Sequence, residues 1–265
     1  MKYLLLVFLI VGVSCSKPHK KKFSNVRDKV VKQDSIPNIY VVKTIFYSKD
    51  SLLITADIYE VNDKKPTVLL CHQAGYSRGE YIETAKKINY LGFSCVAIDQ
   101  RSGNKVNGII NETAKKATES KLATNYMSAK IDIEAAIDYV YKLNGGKPII
   151  LVGSSYSASL ALLIGNTNSK IKAIAAFSPR EYLEGVNLKD EIKNMSKPIF
   201  VTSSKKEILQ VEQLVSLINN KFVMHYKPKV KGIHGSKSLW ESSNGNEFYW
   251  IEFKKFLQKN KPTKI

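Results

Sequence analysis

The chain has 265 residues, 44% of them hydrophobic and 10% aromatic, which suffices for a sizeable core and excludes a disordered or low-complexity protein. Its formal charge of +18 comes from lysines spread along the whole chain, so it describes a basic solvated surface and not a dedicated nucleic-acid-binding arm. Three cysteines exclude a disulfide-dense scaffold, and no Cys/His spacing suggests a metal site.

Lys2 followed by an apolar stretch over residues 3–13 reads as a signal peptide, because the stretch falls short of the roughly 20 residues that cross a membrane. It ends in Gly12-Val13-Ser14-Cys15 and so resembles a bacterial lipoprotein signal, with Cys15 as the lipidated residue after cleavage. A lipid chain and neighbouring basic residues form a two-signal membrane anchor. Ordinary secretion with a cut near Ser14 is the alternative. Residues 16–37, with "KPHKKK", have little that could pack and read as a flexible basic tether. The folded domain is expected over residues 38–265.

Two β-rich runs, "IYVVKTIFYS" and "SLLITADIYEV", open the domain as an antiparallel pair joined near Lys49-Asp50. Short apolar runs then alternate with helical spacing. Strands are expected over residues 67–71, 94–98, 148–152, 170–177, 198–202 and 222–226, and helices over 78–91, 127–143, 155–164, 207–219 and 248–257. Continuous apolar strands between helices imply a mostly parallel sheet of about eight strands, covered by helices on both faces. Cys71 and Cys95 fall inside strands and read as buried reduced thiols. Residues 102–125 and 178–196 break the rhythm as polar connections. Long connections at the carboxyl ends of parallel strands are where such sheets build their sites. The second is too short for a large cap domain.

"PIILVGSSYSASLAL" places a serine on a sharp strand-to-helix turn. A nucleophile there needs small residues two before and two after it, and Ser155 has Gly153 and Ser157. Of the four histidines, His19 lies in the tether, and His225 lies in a strand-like run and reads as structural. His72 follows an early strand and reads as a brace for the loop after it. His234, in "VKGIHGSKSLW" between Gly232 and Gly235, follows the last strand and is the candidate general base. An acid must come between serine and histidine. Glu207, just past "PIFVTSS", is the first candidate, and Glu181, in "SPREY", is the competing one. Two backbone N–H groups are needed for an oxyanion, and Tyr156 and Ala74 in "CHQAGYSRGEY" are the expected donors.

Together "VLLCHQAGYSRGEY", "AIDQRSG", "VGSSYSASLAL", "FSPREY" and "GIHG" resemble the α/β-hydrolase superfamily, nearest to dienelactone-hydrolase-like serine hydrolases of the exported type. The resemblance runs from about residue 38 to the C-terminus. It implies an α/β-hydrolase fold, and Asp99-Gln100-Arg101 matches a structural element of that fold. True dienelactone hydrolases carry a cysteine nucleophile where this chain has Ser155, so their substrate does not transfer. The expectation is cleavage of a carboxylic ester or related acyl bond in a small-molecule substrate, without cofactor or metal. A degenerate hydrolase fold that binds a polyanionic or envelope partner is the alternative from another class. No nucleic-acid module is present in the sequence.

Overall fold

The computed structural model describes residues 40–60 and 67–261. The signal segment with Cys15 and the tether over residues 16–37 lie outside the described residues.

Strands β1 (Tyr40–Tyr47) and β2 (Leu53–Glu60) form the expected antiparallel hairpin. They are followed by β3 (Thr67–Cys71), α1 (Ile82–Tyr90), β4 (Ser94–Ile98), a small hairpin of β5 (Lys105–Val106) and β6 (Ile109–Ile110), α2 (Glu112–Glu119) and α3 (Ala129–Leu143). The second half runs β7 (Ile149–Ser154), α4 (Tyr156–Thr167), β8 (Ile171–Phe177), α5 (Leu188–Glu191), β9 (Ile199–Thr202), α6 (Ile208–Val215), β10 (Val223–Tyr226) and α7 (Asn246–Lys259).

Eight strands form one sheet in the order β1-β2-β4-β3-β7-β8-β9-β10. The β1–β2 and β2–β4 pairings are antiparallel, and every pairing from β4 to β10 is parallel. The central strands β3 and β7 are buried along their whole length, as a parallel sheet covered on both faces requires. Alternate side chains go to opposite faces. Leu69 and Leu151 join Ile133, Ala136, Leu160 and Val211 of α3, α4 and α6. Leu70 and Val152 join Ala85, Ile88, Tyr249 and Phe253 of α1 and α7. Helix α4 sits deep in the first of these layers, which explains why its sequence is apolar almost all round. Cys71 and Cys95 are buried free thiols on adjacent strands.

The polar segment at residues 102–125 is not a plain loop. It carries β5, β6 and α2, a helix absent from the sequence reading. Asn111 caps α2 by accepting a hydrogen bond from the Ala114 amide at 2.7 Å, and Ala114 and Ala117 are buried. Its buried face is Thr113, Ala114 and Ala117, small residues that dock beside β2. Between β8 and β9 only α5 intervenes, so no cap domain stands there.

Candidate active site

Parallel strands β7, β8 and β9 all end at the same edge of the sheet, and the candidate residues lie just beyond those ends. Ser155 is the single residue between β7 and α4, with φ +58° and ψ −123°. A non-glycine residue held there costs roughly 1–3 kcal/mol, which the surrounding hydrogen bonds must offset. The Ser155 amide donates to the Phe177 carbonyl at 2.8 Å, pinning the turn to the end of β8. A Cβ on Gly153 would stand 2.3 Å from the Ser157 carbonyl oxygen, so the residue two before the serine must be glycine. Two after it, Ser157 is accommodated and its hydroxyl is used. It donates to the His72 carbonyl at 2.5 Å and accepts from the Gln100 amide nitrogen at 2.6 Å.

His72 is fully buried, and desolvation pushes its pKa down to about 4, so the ring is neutral. Its Nε2 accepts the Gln100 amide at 3.0 Å, which leaves the Nδ1 proton to donate to the Gln73 carbonyl at 2.8 Å. The ring braces the turn that carries Ala74. Gly75, with φ +73°, allows that turn to close through a Tyr76 amide bond to the Gln73 carbonyl at 3.2 Å. Among the hydrogen bonds between described residues, neither the Ala74 nor the Tyr156 N–H has an acceptor. The Tyr156 side chain is committed elsewhere. Its hydroxyl accepts from Gln100 at 2.8 Å and donates to the Ser102 carbonyl at 3.0 Å, and its ring stacks on Tyr126 with centroids 4.4 Å apart.

The Asp99-Gln100-Arg101 run holds this frame together. Arg101 forms ion pairs with Asp132 at 2.7 Å and Asp50 at 2.8 Å, and Asp99 pairs with Arg78 at 2.7 Å. The contacts to Asp132 and Asp99 are buried, whereas Asp50 is exposed. Removing either partner would strand a charge, while the intact pair adds little net stability.

His234 follows β10 in the loop that ends at Gly235. Its Nδ1 lies 2.6 Å from Glu207 Oε1. An ionised carboxylate only accepts, so this contact places the imidazole proton on Nδ1 and leaves the Nε2 lone pair free. Glu207 Oε2 accepts from the Ser204 hydroxyl at 2.7 Å, the Ser204 amide at 3.1 Å and the Ser178 hydroxyl at 3.1 Å. Burial raises the Glu207 pKa, but the hydrogen bonds from His234 and Ser204 outweigh it and bring it down to about 2. Glu181 is elsewhere. Its two oxygens accept the Leu188 and Lys189 amides at 2.8 and 3.0 Å, so it caps α5 and does not meet His234.

The histidine loop is stitched to the elbow. The Gly235 amide donates to Ser178 Oγ at 2.9 Å and the Ser236 amide donates to Ser154 Oγ at 2.9 Å. A Cβ on Gly235 would meet Ser154 Oγ at 2.6 Å, so the loop can approach this closely only with glycine. Among the described residues no hydrogen bond joins Ser155 to His234. The Ser155 side chain interacts with the Tyr182 hydroxyl. Contacts between nucleophile and base are commonly long before substrate is bound. His225 sits half-buried on β10, its pKa lowered to about 4 by desolvation, away from these contacts.

Two cavities are lined by the connections that follow β3, β4 and β8, without Ser155 itself in either wall. One, of about 850 Å³, runs from Ala74 and Gly75 along Ser102, Asn104, Thr124 and Tyr126. The other, of about 710 Å³, is bounded by Arg180, Tyr182, Lys189 and Leu214. Tyr182, whose region was expected to edge the site, and Arg180 line the second cavity. Their signal was the position of "SPREY" at the end of a parallel strand.

This strand order, elbow and histidine loop define the chain as an α/β-hydrolase fold, and comparison with solved structures agrees. An esterase of Pyrococcus furiosus matches with a TM-score of 0.66 at 15% identity, covering 83% of this chain and 93% of that one. A dienelactone hydrolase from Anabaena variabilis matches with a TM-score of 0.65 at 14% identity, over 86% of this chain and 100% of that one. The acylaminoacyl peptidase of Pyrococcus horikoshii matches with a TM-score of 0.63 at 15% identity, over 87% of this chain and 43% of that one. No protein-family model and no curated protein sequence matches the chain. At these identities the likeness is one of fold, and the chemistry rests on the residues above.

Proposed function

We propose that the chain is a serine hydrolase that cleaves a carboxylic ester or a related acyl bond. The observation that carries this reading is the 2.6 Å contact between His234 and Glu207, in a loop tied directly to the residue before Ser155. In the reaction, His234 Nε2 takes the Ser155 proton as Oγ forms a bond to the substrate carbonyl carbon. The carbonyl electrons move onto oxygen, where the Ala74 and Tyr156 N–H groups stabilise the charge. Collapse expels the alcohol, which receives the proton from His234 and leaves an acyl-enzyme. Water then repeats the sequence, giving its proton to His234, forming the acid and returning the proton to Ser155. Glu207 holds the imidazole and favours its protonated form during each half-reaction. The cavities on the Ala74 and Tyr182 sides supply room for the acyl and alcohol portions.

The test is hydrolysis of a panel of activated esters by the purified domain, its Ser155→Ala variant and its His234→Ala variant. Turnover by the wild type that is lost in both variants supports the reading. Turnover that survives in Ser155→Ala contradicts it.

The reading extends to an exported protein anchored through a lipid on Cys15, supported by the apolar segment ahead of that cysteine. Replacing Cys15 by alanine should move the protein from the membrane fraction to the soluble one. Unchanged partitioning contradicts the anchor.

A further inference from the structure

We propose that Glu80 is a positioning residue, a buried carboxylate that clamps the oxyanion loop to the histidine loop and holds the site in working geometry most firmly when ionised. The inference rests on the serine-hydrolase reading and adds a residue to it. Glu80 lies in the turn before α1 and is fully buried. Among the described residues no lysine, arginine or histidine forms an ion pair with it. Its contacts lie on both sides of the nucleophile. Oε2 accepts the Gln73 amide at 2.7 Å, and Gln73 directly precedes the oxyanion donor Ala74. Oε1 accepts the Ser236 hydroxyl at 2.6 Å, two residues beyond His234. The Ser236 amide in turn donates to Ser154 Oγ at 2.9 Å, tying the same loop to the elbow. The Trp240 indole donates to the Glu80 carbonyl at 2.8 Å, fixing the residue that bears the carboxyl.

The chemistry of this arrangement favours a carboxylate. The Gln73 amide can only donate, whereas the Ser236 hydroxyl can donate or accept. A glutamine or a protonated acid keeps the Gln73 contact and must reverse the Ser236 one. The ionised form accepts both as charge-assisted, stronger bonds. Its surroundings resist ionisation, because burial raises the Glu80 pKa to about 7 against the pull of the Ser236 and Gln73 donors. The titratable groups facing it are Tyr76 on the oxyanion loop, Tyr81 on its own turn and His234 on the histidine loop. His234 is the one among them that can carry positive charge. Loss of the Glu80 proton therefore strengthens the clamp in the neutral pH range. The same negative charge favours the imidazolium that forms as Ser155 attacks.

The experiment is the rate of labelling by a fluorophosphonate across roughly pH 5 to 9, measured on the full chain and on Glu80→Gln, Ser236→Ala and Glu83→Gln. Glu83, an exposed carboxylate one turn away, is the control. Glu80→Gln should label about 10- to 100-fold more slowly at high pH and should show a smaller rise in rate across this range than the wild type. Ser236→Ala, which removes one clamp contact, should label about 3- to 10-fold more slowly, and Glu83→Gln should stay within about twofold of wild type. Wild-type rate and wild-type pH profile in Glu80→Gln overturn the clamp while leaving the serine-hydrolase reading intact. Wild type that does not label, or Ser155→Ala that does, overturns that reading and the clamp with it. If circular dichroism shows Glu80→Gln unfolded, Ser236→Ala decides, and a wild-type rate and profile there overturn the proposal.

Discussion

Glu207, after β9, and Glu80, after β3, are both buried glutamates that contact the histidine loop or its anchor, yet their environments drive them in opposite directions. Glu207 gathers four hydrogen-bond donors, one of them the imidazole, and its pKa falls to about 2. Glu80 is fully enclosed with fewer donors, and desolvation wins, raising its pKa to about 7. The comparison teaches that burial alone does not settle the charge state of a carboxylate. The number of donors aimed at it, and whether one can become cationic, decide which effect prevails. Glu207 therefore stays ionised against the His234 imidazole at neutral pH, and Glu80 titrates near neutrality.

The comparison breaks most visibly through activity. Glu207→Gln keeps the size of the side chain but removes the anion that sets the His234 tautomer, and kcat for ester hydrolysis should fall by about 10³- to 10⁴-fold. Glu181→Gln should leave kcat within about twofold and cost about 0.5–1 kcal/mol in urea unfolding, since it weakens only a helix cap. Equal losses in the two variants would place the acid elsewhere.

The pH dependence of stability sharpens it further. For Glu207 the folded pKa lies below the ordinary 4.5, so between about 2 and 4.5 the unfolded chain binds the extra proton and stability rises with pH. On the order of 3 kcal/mol is present above the upper limit and lost below the lower one. Glu80 has the reverse sign. Its folded pKa lies above 4.5, so between 4.5 and about 7 the folded chain holds the extra proton and stability falls as pH rises. Urea unfolding at a series of pH values should show Glu80→Gln flattening the upper window and Glu207→Gln the lower. A Glu80 variant with the wild-type slope between those limits would contradict the raised pKa.

The smallest expected effect is at the rim. Tyr182→Phe removes the hydroxyl that interacts with Ser155 and should change kcat/KM by a few-fold, on the order of 1 kcal/mol, leaving the fold untouched. An unchanged kcat/KM would leave Tyr182 as wall alone.

Much of this was legible in the sequence, and the reasons differ by residue. The alternation of apolar runs and helical spacing predicts the parallel sheet, because strands buried on both faces leave no room for polar residues. Gly153 before Ser155 marks the elbow, because only glycine fits against the Ser157 carbonyl. The choice between Glu207 and Glu181 was open, since both follow parallel strands and one residue of loop geometry separates a triad-like contact from a helix cap. Helix α2 was missed because its buried face, Thr113, Ala114 and Ala117, holds no large apolar residue. Glu80 left no mark either. In "SRGEYIE" it reads as a charge on a helix start, and only the convergence of Gln73 and Ser236 around it reveals a buried carboxylate.

The central claim is that Ser155 is the nucleophile of an assembled site, and the most direct measurement is peptide mapping by mass spectrometry after fluorophosphonate treatment. The account predicts one phosphonate adduct on the peptide containing Ser155, absent when His234 is replaced by alanine. An adduct on Ser154 or Ser157, or no adduct on folded protein, would contradict it.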